Sequence, residues 1–142
     1  MESLRSSIGA LVLLVFATAP AQASAETCST LAMLTEDRGA FQRLGIEVEG
    51  SLPLAMTALA AGLTPGETIL ETGFGILTVG LDRPFAIRRI GVTDPDGNLS
   101  SSLLAPNDLG IELHAQAISI LVVPGRELIV EACTSNVATV SL

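Results

Sequence analysis

The chain has 142 residues, enough for one domain, and sets seven basic residues, all arginine, against fifteen acidic ones for a net charge of −8. That balance excludes a nucleic-acid binder, which needs a basic face to displace counterions. Tryptophan and tyrosine are absent, so nothing offers a large platform for bases or sugars, and one histidine with two cysteines is too few for most zinc sites.

The N-terminus reads as an export signal. Arg5 and the amino group form a positive start, residues 8–19 (IGALVLLVFATA) an apolar stretch, and Pro20 ends it. Ala21-Gln22-Ala23 and Ala23-Ser24-Ala25 each place small residues at the two positions a signal peptidase reads. Twelve helical residues span about 18 Å, short of the roughly 30 Å of a bilayer core, so a retained anchor is not expected. A lipid-modified Cys28 is rejected, because Glu26 and Thr27 precede it where apolar and small residues are required. The expected division is a signal peptide over residues 1–25 and a single domain over residues 26–142, located outside the cytoplasm, in the periplasm or beyond. In that oxidising setting Cys28 and Cys133 predict a disulfide. It would close a loop of about 105 residues, worth about 4–5 kcal/mol in the chain-entropy picture.

Frequent Gly and Pro then cut the chain into segments that suit strands better than helices. Residues 29–44 admit a short helix, with Thr35 as its cap before Glu36 and Asp37. Residues 45–49 (GIEVE) read as a strand, and residues 54–61 (LAMTALAA) as a second, although their composition also suits a helix. Further strands are predicted over 76–81 and 85–92. Arg89 breaks the alternation of the latter, which predicts a bulge or strand end there. Asp96-Gly97 carries a hairpin turn signal before the strand at 99–104. Residues 111–117 alternate cleanly, with Glu112, His114 and Gln116 on what reads as the outer face, and the run continues to Val123. Strands at 127–133 and 137–142, joined by a polar Thr134-Ser135-Asn136 link, complete the set. Seven or eight short antiparallel strands without a long helical pattern predict an all-β fold, a single β-sandwich of Ig-like or related type with an aliphatic core.

Residues 75–142 carry a recurring series of turns and core positions. These are Gly75-Ile76-Leu77-Thr78-Val79, Thr93-Asp94-Pro95-Asp96-Gly97, Leu99-Ser100-Ser101-Ser102-Leu103, Pro106-Asn107-Asp108, Leu113-His114-Ala115-Gln116-Ala117 and Ser135-Asn136-Val137. The series resembles a small β-sandwich module of uncharacterised exported bacterial proteins. The resemblance implies the fold and secretion, and carries no activity.

Few residues offer chemistry. Asp94, Asp96 and Asn98 alternate as oxygen ligands do around calcium, but the twelfth position of an EF-hand loop is Ala105, and a turn capped by its own Asp and Asn side chains is the preferred reading. His114 is the one ordinary general base, with no G-x-S-x-G elbow to accompany it, and Ser100, Ser101 and Ser102 read as a polar strand face. Arg83, Arg88 and Arg89 are expected to be ion-paired on a sheet face, with Glu112 or Glu127 as partners. No catalytic residue, metal site or cofactor is expected. The expected function is that of a non-enzymatic structural, adhesive or protein-interaction module, whose partners are other extracellular proteins or surface polymers, with no nucleic acid and no membrane span after signal removal. The alternatives are a calcium-binding module built on Asp94, Asp96 and Asn98, and a small hydrolase, which needs a serine and a carboxylate beside His114 in a groove.

Overall fold

The computed structural model describes residues 27–72, 75–125 and 129–142. The expected signal peptide with both cut positions, Phe74 and the start of the strand expected over 127–133 lie outside the described residues. The described chain is all-β, and no described helix is long and apolar enough to cross a membrane.

Among the described residues nine strands follow one another: β1 (Thr27–Arg38), β2 (Phe41–Glu49), β3 (Met56–Gly62), β4 (Pro65–Thr72), β5 (Gly75–Leu81), β6 (Phe85–Val92), β7 (Leu99–Pro106), β8 (Glu112–Val123) and β9 (Ile129–Ser141). Seven form one sheet in the order β6-β3-β8-β9-β1-β2-β7, and β4 with β5 form a separate two-stranded hairpin. Neighbours pair antiparallel except β9 with β1, which run parallel, so the expectation of purely antiparallel strands is corrected at that junction. The sheet curls until its edge strands approach. A side chain added at Gly91 on β6 would meet Leu99 Cδ1 of β7 at 3.1 Å.

Alternation explains the outer strands. In β2, Gln42, Leu44, Ile46 and Val48 are buried while Phe41, Arg43, Glu47 and Glu49 are exposed. The inward set joins Leu31 and Met33 of β1, Leu59 of β3 and Ala115 and Ala117 of β8 in the principal core. On the opposite face of β3 and β8 the hairpin lays down Leu77, Val79 and Leu81 over Ala60 and Ile118, a second core. β8 is therefore covered on both sides, and six consecutive residues, His114 to Ser119, are buried.

Three expectations are corrected. Residues 29–44 hold no helix: β1 and the start of β2 fill them, because Leu31 and Met33 alternate with exposed neighbours and helix propensity yields to a half-buried sheet. The Thr134-Ser135-Asn136 link is not a turn but a bulge within the continuous strand β9, where Ser135 and Asn136 together face Ala117. The Asp96-Gly97 signal does make a tight turn, with Gly97 at φ +82°, yet β6 and β7 do not pair; each is the outer edge of the sheet. The bulge expected near Arg89 is present, with Ile90 as the extra residue opposite Thr57 and Ala58.

The Cys28–Cys133 bridge joins β1 to β9 with its Cα atoms 5.6 Å apart, inside the range a disulfide spans. Beside it, the Asn136 side chain replaces a strand's backbone. Leu31 N donates to Asn136 Oδ1 at 2.8 Å, and Asn136 Nδ2 donates to Leu31 O at 3.2 Å. Bridge and amide thus reinforce the parallel junction where the ladder is short.

Candidate functional site

The outward faces of β1, β2 and β7 form one surface, ordered by their register. Across the three strands the rows are Arg38–Phe41–Pro106, Glu36–Arg43–Leu104, Leu34–Gly45–Ser102 and Ala32–Glu47–Ser100, and Thr30–Glu49 continues the series. Period-two alternation, which buries Leu44 and Ile46, turns this set toward solvent. Gly45 has no side chain, so the middle of the face is a hollow of about 460 Å³ between Leu34, Arg43, Glu47 and Ser102. Leu34 and Leu104 are 75% and 72% exposed, far more than large aliphatic side chains in this chain's cores. Such side chains grouped on one face mark an interaction surface more often than an active site.

Charge is unevenly divided over this face. Glu36 accepts from both Arg38, at 3.1 Å, and Arg43, at 3.4 Å, which leaves one cation in excess at that end. At the other end Glu47 accepts a hydrogen bond from the Ser100 hydroxyl at 2.8 Å, and Glu49 stands next to it.

A second hollow, of about 540 Å³, lies where β1, β2 and β7 end, near Asp37, Gln42, Asn107 and Asp108. Its polar groups serve the fold. Asn107 Nδ2 donates to Asp37 Oδ1 and to Gly39 O, and Gln42 Nε2 donates to Pro106 O.

His114 is not on a solvent face. It shares the face of Gln116, as its alternation requires, but the hairpin lies over that face and leaves it 8% exposed. Its Nδ1 is 2.8 Å from Thr139 Oγ1 and its Nε2 is 3.5 Å from Glu112 Oε1. Hydroxyl, imidazole and carboxylate therefore stand in line, the set a hydrolase needs. Thr139 and His114 are a cross-strand pair and Glu112 lies two residues back on β8, so strand register alone produces the arrangement. Neither hollow includes any of the three. Ser100 and Ser102, the serines that face outward, belong to the β7 surface instead.

The Asp94–Asn98 turn uses its oxygens on backbone amides. Asp94 Oδ1 accepts from Asp96 N at 2.8 Å and Asn98 N at 2.9 Å, and Asn98 Oδ1 accepts from Gly50 N at 3.1 Å. The turn is docked on the loop after β2, where Ser51 N donates to Gly97 O and buried Thr93 bonds both Leu52 O and Ala55 N. Among the described residues no group of three or more His, Cys, Asp or Glu side chains is arranged to hold a metal ion.

The arginine cluster departs from expectation. Among the described residues the ion pairs involve Arg38, Arg43 and His114, and none involves Arg83, Arg88 or Arg89. Glu112 faces His114 instead, and Glu127 lies outside the described residues. Arg88 and Arg89 sit on edge strand β6, where charge discourages a further strand from adding.

Of the residues on this face, Leu34 and Arg43 were hidden by the helix expected over 29–44, whereas Gly45 and Glu47 fell in the strand expected over 45–49. The alternation of Leu44, Ile46 and Val48 with Arg43, Glu47 and Glu49 was the signal that would have found them. Compared with family models, curated proteins and solved structures, the chain matches none.

Proposed function

We propose that the chain is an exported, non-enzymatic β-sandwich module that acts by protein contact through the outer face of β1, β2 and β7. The observation that carries this reading is that face itself: Leu34 stands exposed at a hollow floored by Gly45 and flanked by opposite charges, and Leu104 is exposed on the same face. The Ig-like sandwich is supported by the pairing of β1. Thr27 and Ser29 pair with β9 and Thr30 to Arg38 with β2, and the curled sheet sets Leu31, Leu44 and Ile46 of β1 and β2 against Leu59, Ala115 and Ala117 of β3 and β8 around one core. Export is supported by the N-terminal pattern of residues 1–25 and by a disulfide, which persists in oxidising compartments.

The hydrolase alternative has a specific observation in its favour, the Thr139–His114–Glu112 line. Activity assays separate the two readings. The purified protein is expected to show no hydrolysis of p-nitrophenyl esters or of a glycoside and phosphate-ester panel above buffer. Turnover that disappears in both His114→Gln and Thr139→Val would replace the interaction module with an enzyme. The calcium alternative is tested by thermal unfolding with calcium and with chelator, which should agree within about 1 kcal/mol. Ligand at 100 times its dissociation constant would add about 2.7.

A further inference from the structure

We infer that the partner for the β1–β2–β7 face is a second copy of this chain, packed face to face about a two-fold axis along the Leu34–Gly45–Ser102 row. The inference rests on the interaction-module reading and names its occupant.

The face is self-complementary under that one operation. A two-fold axis lying in the interface along the central row reverses strand direction while keeping strand over strand. Residues on the axis meet their own copies, so Leu34 meets the partner subunit's Leu34 over the floor left open by Gly45. Residues two positions either side of the row exchange places. Arg43 then faces the partner subunit's Glu47, and Glu47 faces the partner subunit's Arg43. Leu104 faces the partner subunit's Ser100, a large side chain over a small one. The register of β1, β2 and β7 alone fixes these correspondences.

The charges agree with the geometry. One end carries Arg38, Arg43 and Glu36, a net excess of one positive charge, and the other carries Glu47 and Glu49, two negative charges with no cation paired to them among the described residues. A neutral middle of Leu34, Gly45 and Ser102 separates them. Antiparallel packing lays each end on its opposite, whereas the parallel alternative would stack Arg43 on Arg43. Like-charge juxtaposition of that kind selects against a mode of association.

The footprint sets the strength. Three strands about 4.8 Å apart and five outward rows about 6.8 Å apart span roughly 10 by 27 Å between backbone positions. That is smaller than the roughly 800 Å² per partner of a stable specific interface, and a weak, transient, concentration-dependent dimer is the expectation.

Sedimentation equilibrium of the exported, oxidised protein from about 1 μM to about 1 mM is the test. The wild type should shift from monomer to dimer within that range. Arg43→Glu and Glu47→Arg should each weaken association at least about tenfold, and the double variant should restore it. Leu34→Asp should abolish it. All three positions are exposed and line the hollow, and unchanged melting of each variant shows that the fold survives. A wild type that stays monomeric to the top concentration overturns the proposal. So does a dimer indifferent to Arg43→Glu and Leu34→Asp, or a double variant that does not recover. None of these outcomes touches the non-enzymatic reading, which stands or falls on the hydrolysis assays.

Discussion

Gln116 shows how single polar side chains hold the layers together. Its Oε1 accepts from Gly80 N of the hairpin at 2.9 Å, and its Nε2 donates to Ser135 O in the bulge of β9 at 2.8 Å. One buried amide thus joins three strands. Gly80 makes the approach possible, because a Cβ there would press on the Val137 side chain. Within the bulge, the Ser135 hydroxyl accepts from Ala117 N at 2.8 Å, which replaces the ladder bond that the extra residue displaces. Gln116→Leu strips partners from one buried N–H and one C=O, and each orphan costs about 1–3 kcal/mol. Urea unfolding should therefore lose about 2–4 kcal/mol in that variant, and Ser135→Ala should lose about 1–3. Alternation correctly put His114 and Gln116 on one face. That the face is buried was not legible, because the covering hairpin comes from a segment more than 30 residues earlier whose own pattern says nothing of where it docks.

At the scale of elements, two aliphatic positions separate core from surface. Leu81 of β5 is fully buried between the hairpin and β3–β8, whereas Leu34 of β1 projects from the outer face. Leu81→Ala should cost about 2–5 kcal/mol in thermal or urea unfolding, through lost burial and the cavity left behind. Leu34→Ser, measured at a concentration where the chain is monomeric, should stay within about 0.5 kcal/mol of wild type. Equal losses at the two sites would mean that Leu34 is packed in solution even in the single chain. β6 was readable from its β-branched content, and β2 over residues 45–49, its start having been expected in a helix. β4 was not expected at all, since Pro65, Gly66 and the mixed Glu67-Thr68 and Glu71-Thr72 steps read as loop punctuation. β3 lacks clean alternation, and that of β8 gives way to an apolar run near Ile118, as suits strands covered on both faces, where small residues such as Ala60, Ala115 and Ala117 let the layers approach.

Across the whole molecule, β1 is the strand on which closure depends. Towards β2 it has a full antiparallel ladder, whereas among the described residues it is tied to β9 by the Thr27–Thr134 and Ser29–Ser135 pairs, the Asn136 clamp and the Cys28–Cys133 bridge. The bridge spans 105 residues of chain, so reduction should lower stability by about 2–5 kcal/mol. The Leu31 amide, bonded to Asn136, should lose protection in hydrogen exchange before the amides of β2 do. The Cys28–Cys133 bridge was legible from the cysteine pair, whereas the parallel β9–β1 junction was not, because strand order is set by long-range packing that local pattern does not encode. The central claim is an exported, disulfide-closed module. Intact-mass spectrometry of protein recovered from outside the cytoplasm, alkylated without reduction, tests it most directly. The mass should be that of residues 26–142, two hydrogens lighter than the reduced chain and with no alkyl group added. A mass that retains Met1, or one that carries two alkylated cysteines, would contradict it.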